Sequence, residues 1–530
     1  MRQSGPGPTP ATWSYLLIRL LFKFVLKVFY GTIVVEGLEH IPPLGEACIV
    51  CANHANSLTD ALLLVKAIPY KRRGMLRLTA KSTQFGRGTF TSWLIESAGT
   101  LPIKRRKDFG DADVDNSAIM NLLIEALGRG DAICLFPEGA SRYHPKIAPL
   151  KTGVVRLVSD TLTAHGNEPD FRVSTLTCSI TYMHRQHFRT DVLVTFHPLM
   201  TYTPRTHPEL LAPANRDVVR RETEVLYSRI ASGTLDAPSW ELVRCAWLAA
   251  SIYAPLGTRM RLGDYVRVAR AFLEAFKAAD TDDAASRPDE EVGELVKELK
   301  VYVRELSRLR IKDDRIRQPL SRPTIFSRML LRASWAGTLL ALSFPGLLLW
   351  TPVALTTFIG VHEFTRTGGP VWDTWDEIAQ YKLVYGLISG AAVWAAAVLL
   401  TLPVALITAV LIPAIMWMSL RWFEDAVAAA RAFVALARLV LVPCATLTRL
   451  RAQRTVLHAR LVRLAAERLG LPADPESAYA KASGPGHKGR VAGPLSGKAR
   501  YFSVTRRRKK DWAETLRLYE DFDYPEDETC

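Results

Sequence analysis

"ACIVCANHANSLTDALLLVKAI", residues 47–68, decides how the fold is read. Ala47–Asn53 is an uncharged, mostly apolar run, as expected of a strand covered on both faces. Asp60–Ile68 is apolar at helical spacing and reads as the start of a helix. A strand that passes through a short polar turn into a helix is the βα half of a parallel unit. The turn holds His54 and Asp60, with five residues between them.

The same alternation continues outward. "TIVVEGL" (32–38), "GTLPIKR" (99–105), "DAICLFPEG" (131–139), "VSTLTCSITYM" (173–183) and "RTDVLVTFHPL" (189–199) read as strands. "SAIMNLLIEALGRG" (117–130) reads as a helix with Gly128 as its C-cap. Residues 32–230 are therefore expected to form an α/β domain, with a largely parallel central sheet flanked by helices.

The chain is 530 residues long, with a formal net charge of +16 and 48% hydrophobic residues. Mean hydropathy is slightly positive, at +0.06. A positive balance favours anionic partners such as lipid headgroups or phosphorylated substrates. A nucleic-acid partner would account for the charge but not for the long uncharged segments, so none is expected. The seven cysteines are scattered, which argues for reduced thiols facing the cytosol and against a disulfide scaffold. They form no zinc-spaced cluster, and no metal is expected.

Outside the α/β region the character changes in blocks. Residues 1–31 contain "TWSYLLIRLLFKFVLKVFYG" (12–31), whose charges Arg19, Lys23 and Lys27 recur every four residues. On a helix they make a narrow basic stripe on an apolar cylinder, as expected of an interfacial amphipathic helix that snorkels its charges to headgroups. Residues 231–327 are charged and helical. In them Val292, Leu295, Leu299, Val303 and Leu306 predict a helical hairpin or short coiled-coil-like packing. Residues 328–421 hold the membrane segments. Ala333–Val361 is free of charge but interrupted by Pro345 and Pro352, so a kinked span or a re-entrant segment is expected. Leu383–Leu420 is also uncharged. It is long for one span and short for two at about 20 residues each. Pro403 near its middle suggests a tight hairpin, with a single span running into an interfacial helix as the second choice. Arginines flank these segments and acidic residues connect them, which places the α/β domain and the tail in the cytosol. That requires an even number of crossings, met if each segment crosses once or if one is re-entrant. Residues 422–470 read as an amphipathic helical region and 471–530 as a disordered cytosolic tail containing "RRRKK" (506–510).

Four stretches carry the chemistry. In "NHANSLTD" (53–60), a neutral histidine beside a carboxylate can take a proton from a hydroxyl while the carboxylate fixes its tautomer. "GTLPIKRR" (99–106) ends a strand in a basic cluster suited to a phosphate. "FPEGASR" (136–142) puts a carboxylate at the sheet's C-terminal edge, where open α/β sheets bind ligands. "PLKTGVVRL" (149–157) is a basic loop leading into a helix start. Each has a plainer reading. His54 alone is a loop histidine, and Ser57 to Asp60 fits a capping box. Lys104–Arg106 alone is a solvated edge, and Glu138 alone a turn carboxylate. On a continuous helix His54 and Asp60 would point about 120° apart. Ser57 is therefore expected as N-cap, with Asp60 in the first turn and His54 folding back from the loop.

Together the blocks resemble the glycerolipid acyltransferases that share the phosphate-acyltransferase domain. Asn53, His54 and Asp60 match the family's His/Asp block, and Gly99 and Arg105 its second. Phe136, Pro137, Glu138, Gly139 and Ser141 match the third. Pro149, Leu150, Lys151 and Gly153 match the downstream P-L-K-x-G, and Lys81 falls where the family has a lysine. The resemblance covers roughly residues 30–220. "YMHRQHFRTDVLVTF" (182–196) and the C-terminal apolar segments narrow it to the fungal-type glycerol-3-phosphate/dihydroxyacetone-phosphate acyltransferases. Two departures stand out. The His–Asp spacing is one residue longer than the commoner pattern, and Thr177 stands where the fourth block carries a proline.

The resemblance implies acyl transfer from acyl-CoA to the sn-1 hydroxyl of glycerol 3-phosphate, with dihydroxyacetone phosphate a further acceptor. It implies His54 and Asp60 as catalytic residues. Lys104, Arg105, Glu138, Gly139, Ser141 and Lys151 would bind substrate. No cofactor is expected beyond acyl-CoA as co-substrate, and membrane lipids are expected partners. The implied place is the endoplasmic reticulum membrane with the catalytic domain facing the cytosol. A lysophosphatidic acid or lysophospholipid acyltransferase would use the same blocks. A lipid-binding membrane protein without turnover is the reading from another class.

Overall fold

The computed structural model describes residues 7–104, 116–142, 144–185, 190–213, 215–254, 260–280, 290–317, 321–367 and 377–482. The chain divides into two compact units. The first is Met1–Asp236 with Thr365–Leu383, and the second is Ala237–Phe364 with Val384–Cys530.

The strands are β1 (Thr32–Glu36), β2 (Ala47–Ala52), β3 (Leu76–Arg77), β4 (Thr79–Lys81), β5 (Leu101–Ile103), β6 (Ala132–Leu135), β7 (Val173–Tyr182), β8 (Asp191–Phe196) and β9 (Met200–Tyr202). Helices of the first unit are α1 (Trp13–Phe29), α2 (Leu58–Ala67), α3 (Tyr70–Arg73), α4 (Phe90–Ser97), α5 (Ser117–Gly128), α6 (Gly153–Ala164) and α7 (Arg216–Ala231). The main sheet has the order β1-β8-β7-β2-β6-β3, with β9 beside β7. β2 pairs in parallel with both β6 and β7. The β1–β8 and β3–β6 pairs are also parallel, whereas β8 and β9 run antiparallel to β7. This is the expected α/β fold with a largely parallel sheet.

β2 is buried at every position because it lies inside the sheet and helices cover it. Leu123 and Leu127 of α5, Val155 and Val158 of α6, and Leu226 and Ile230 of α7 share one core with Ile49 and Ile133. Each such side chain contributes roughly 1.5–3 kcal/mol of transfer free energy. Three short strands, β3, β4 and β9, escape a sequence reading because two or three residues carry no alternation. β5 does not join the main sheet. It pairs with β4 in a ribbon of its own.

Two local expectations are corrected. Gly128 is the last residue of α5, and the left-handed residue that ends the helix is Gly130, at φ 82°. The physical reason is space: a Cβ at Gly130 would lie 2.3 Å from the Gly45 carbonyl oxygen. In α1, Arg19 does not share the exposed stripe. Its guanidinium donates to the carbonyls of Val65 and, at 2.6 Å, Ile68 at the end of α2, where a cation meets the helix's unpaired carbonyls. Lys23 and Lys27 stay exposed. So do Trp13, Leu16, Leu17, Leu20 and Phe24, which form a helical stripe opposite the buried Tyr15, Ile18, Phe22 and Leu26.

The second unit contains α8 (Trp240–Tyr253), α9 (Leu262–Asp280), α10 (Glu290–Leu309), α11 (Asp313–Arg317), α12 (Arg322–Thr367), α13 (Ile378–Leu400), α14 (Ala405–Leu441), α15 (Cys444–Glu467) and α16 (Pro475–Ala482), with the ends of α12 and the start of α13 reaching into the first. In α10, Val292, Leu295, Leu299 and Leu306 are buried as the spacing predicts, whereas Val303 is half-buried. The helix packs against α8, α9 and α15, so the unit is a helical bundle rather than a hairpin. Inside it, Asp313 accepts from Arg454 Nε at 2.9 Å and from the Tyr302 hydroxyl at 2.9 Å. α12 is one continuous helix that contains both Pro345 and Pro352. In apolar surroundings an unbroken helix keeps most of its backbone groups paired, whereas a break exposes several. The second uncharged stretch is the hairpin suggested by Pro403. α13 and α14 are joined by a 3-10 turn at Leu402–Val404, and Trp394 Nε1 donates across it to the Ala409 carbonyl at 3.0 Å. Among the described residues, three helices are long and apolar enough to cross a membrane. The expected disordered tail lies outside the described residues from 483 on, and residues 475–482 are helical.

Gly130→Ala is expected to lower stability by at least ~1–2 kcal/mol from the left-handed backbone alone. Thermal unfolding of the detergent-solubilised chain checks this, with Gly128→Ala as the comparison.

Candidate active site

β2 ends at Ala52, and the chain must leave the sheet there. Asn53 manages the exit. Its side chain donates to the Ile180 carbonyl at 3.0 Å and accepts from the Ile180 amide at 2.7 Å, standing in for one more rung of the β2–β7 ladder. His54 follows on the turn. Ser57 is at φ 46°, ψ −132°, a left-handed backbone rare for a residue with a side chain. Its hydroxyl donates to Gln380 Oε1 at 3.0 Å, and the Leu58 amide donates to the same oxygen at 3.4 Å. α2 then begins at Leu58.

That reversal brings His54 back onto Asp60. His54 Nδ1 lies 2.9 Å from Asp60 Oδ2, which also accepts the Asn56 amide at 2.8 Å. The Tyr182 hydroxyl donates to Oδ1. Asp60 is fully buried, whereas the His54 side chain is 18% exposed. The capping box is therefore only half present. Asp60 does accept a backbone amide at the helix start, but Ser57 makes no capping bond to the helix. With Nδ1 committed to a carboxylate, the imidazole's Nε2 is the atom that can take a proton.

The "FPEGASR" segment holds His54 from the other side. The Phe136 ring stacks on the imidazole at 4.1 Å between centroids and 16° between planes. Glu138 Oε1 accepts the His54 amide at 2.6 Å, and Oε2 accepts the Ala148 amide at 3.1 Å. The Arg142 amide donates to the His54 carbonyl at 3.2 Å. Both oxygens of Glu138 thus accept amides of the protein, one of them that of His54. Burial pushes its carboxyl up to about 6, against the two amide hydrogen bonds and His54, which pull it down.

Gly139 is at φ 75°, and a Cβ there would lie 2.4 Å from Lys151 Nζ. Lys151 therefore lies over the Pro-Glu-Gly turn, and its amide donates to the Pro137 carbonyl at 2.8 Å. Ser141 is on the same loop, between Gly139 and Arg142. Lys104 sits just past β5 on the separate ribbon. Its amide and carbonyl bond the Asn116 side chain at 3.1 and 2.9 Å, which closes the two ends of the segment that carries Arg105. Arg105 itself is outside the described residues. Lys81, on β4, is in register with Ile103, next to Lys104. Thus His54, Asp60, Glu138, Gly139 and Lys151 meet around one turn, with Lys104 on the neighbouring ribbon.

The sequence reading missed Asn56, Tyr182, Asn116 and Gln380, and missed what Phe136 and Asn53 do. One signal was available for Tyr182: a polar aromatic at the end of a long buried strand.

Comparison with known proteins follows this geometry. The Acyltransferase family model matches residues 32–181. The model for the Glycerol-3-phosphate acyltransferase 2 C-terminal domain matches residues 245–363. The chain carries an acyltransferase domain. All the residues of the turn described above lie within it except Tyr182 and Gln380. An uncharacterized acyltransferase of Schizosaccharomyces pombe is 26% identical over 48% of this chain and 36% of its own length. Glycerol-3-phosphate O-acyltransferase 2 of Saccharomyces cerevisiae is 22% identical over 52% of this chain and 37% of its own. Glycerol-3-phosphate O-acyltransferase 1 of the same yeast is 23% identical over 48% and 33%. The chain thus spans only about a third of the length of these relatives.

Because the acyltransferase domain holds Glu138 at about 6 against its ordinary 4.5, that group's contribution to stability is full below pH 4.5. It is lost as pH rises through 6. Glu138→Gln removes the dependence, so the variant is expected to gain about 2 kcal/mol relative to wild type between pH 4 and 7. Denaturant titration at several pH values measures this.

Proposed function

We propose that this chain transfers a fatty acyl group from acyl-CoA to the sn-1 hydroxyl of glycerol 3-phosphate. Dihydroxyacetone phosphate is a further acceptor. The observation that carries the reading is the 2.9 Å contact between His54 Nδ1 and the buried Asp60, on a histidine whose ring remains partly exposed. In this reading the acceptor hydroxyl lies against Nε2. Its oxygen attacks the thioester carbonyl and forms the C–O bond as its proton passes to Nε2. Collapse of the intermediate breaks the C–S bond, and the leaving thiolate takes that proton from Nε2. No acyl-enzyme is needed. Asp60 holds the productive tautomer and stabilises the imidazolium.

Lys104, Arg105 and Lys151 hold the acceptor's phosphate, and Gly139 and Ser141 line its approach. Glu138 acts on the substrate through His54. Acyl-CoA is the co-substrate, and no further cofactor enters. The exposed apolar stripe of α1, with Lys23 and Lys27, and the apolar helices α12–α14 support work at a lipid surface. The positive-inside bias supports a catalytic unit facing the cytosol, in the endoplasmic reticulum membrane.

His54→Ala is expected to lower the acyl-transfer rate by about 10³-fold or more, the scale of a lost positioned base. Arg105→Ala is expected to raise the KM for the acceptor far more than that for acyl-CoA. Both are read in microsomes offered radiolabelled glycerol 3-phosphate, dihydroxyacetone phosphate and lysophosphatidic acid side by side. Incorporation with lysophosphatidic acid alone, or an active His54→Ala variant, would overturn the reading.

A further inference from the structure

Asp60 has two carboxylate oxygens, and they have different partners. Oδ2 serves His54 and the Asn56 amide, while Oδ1 receives the hydroxyl of Tyr182. Tyr182 is the last residue of β7. It reaches Asp60 because β7 outruns its neighbour: Ala52, the end of β2, is in register with Cys178. Residues 178, 180 and 182 share a face of the strand, so the phenol projects beyond the point where β2 turns away.

We propose that Tyr182 is a positioning residue for acyl transfer, holding Asp60 so that its other oxygen fixes His54 Nδ1. The proposal rests on the acyl-transfer reading of the His54–Asp60 pair. Without the phenol, the two bonds to Oδ2 alone would set the carboxylate's rotation about its Cβ–Cγ bond, and with it the line of Oδ2 to His54 Nδ1. The third donor restricts that rotation and shares the charge of a fully buried anion, which otherwise carries a large desolvation cost. Burial, and then the neighbouring Asp60 charge, push the Tyr182 phenol well above its ordinary range. It therefore stays protonated and donates throughout the working pH range. The Tyr30 ring lies 6.2 Å away, tilted 36° against the Tyr182 ring, and packs it in place. Besides His54, the titratable groups whose charges bear on Asp60 or its tyrosines are Tyr30, Arg185, Glu138, Cys134 and Cys178. Among the described residues, the hydroxyl placed on Oδ1 is that of Tyr182.

The direction of the effect follows from charge. Without the phenol, the Asp60 carboxylate is less well stabilised, so it attracts a proton on His54 more strongly. The base is then protonated at a higher pH.

The test uses the full chain in microsomes, with wild type, Tyr182→Phe, His54→Ala and the double variant. Tyr182→Phe is expected to lower kcat about tenfold, the scale of one hydrogen bond to a buried charge. KM values for both substrates should stay within about twofold, as for a group that acts only on the chemical step. The acid limb of the kcat/KM–pH profile should move to higher pH. The double variant should be no slower than His54→Ala, because both changes act on one unit. The limb position does not depend on how much protein folds, so poor folding of Tyr182→Phe does not mask it. An unmoved limb with an inactive His54→Ala overturns the role of Tyr182 alone. An active His54→Ala overturns the acyl-transfer reading beneath it.

Discussion

A carboxylate sealed from water is the constraint around which this site is built. Asp60 is fully buried, and an unpaired charge there would cost several kcal/mol. Three donors from two places meet it: the His54 ring and the Asn56 amide from the turn, and the Tyr182 hydroxyl from a neighbouring strand. Losing any of the three leaves the buried charge less well compensated. The turn after β2, the start of α2 and the end of β7 are therefore fixed relative to one another by one side chain.

His54 is held just as firmly, and by the opposite neighbour in the sheet. β6 leads into Phe136, which stacks on the imidazole, and into Glu138 and Arg142, which bond its backbone amide and carbonyl. The turn thus sits between two parallel neighbours. β6 supplies the grip on the histidine, and β7 supplies the grip on the aspartate and, through Ile180, on Asn53. Motifs far apart in sequence are adjacent because β2 lies between β6 and β7. The same logic explains Glu138. A carboxylate on this loop meets two amides, one on each oxygen.

The first unit also shows how a residue's type can mislead about its place. Arg19 belongs by spacing with Lys23 and Lys27, yet it turns inward because the end of α2 offers unpaired carbonyls. What remains outside is an apolar stripe from Trp13 to Phe24, opposite a face that packs on the domain. Gln380, in the first turn of α13, closes onto Ser57 and Leu58 at the start of α2. A residue at the start of an apolar helix thus takes part in holding the turn that carries His54.

The sequence by itself determined the class of fold and the central pair. Uncharged runs such as residues 47–52 can only be strands covered on both faces, and they alternate with helices. The geometry of a helix forbids His54 and Asp60 from meeting within one, so the histidine had to fold back from a turn. The hairpin at Pro403 was legible for a similar local reason, a breaker in the middle of an uncharged stretch. Tertiary structure alone decided what lies across the sheet: that β5 leaves it, that Glu138 faces the His54 amide, that Tyr182 reaches Asp60 and that Gln380 closes the start of α2. Those contacts join residues tens or hundreds of positions apart, and no periodicity records them. The partner of a buried polar atom is set by strand order and register, which only the folded chain fixes.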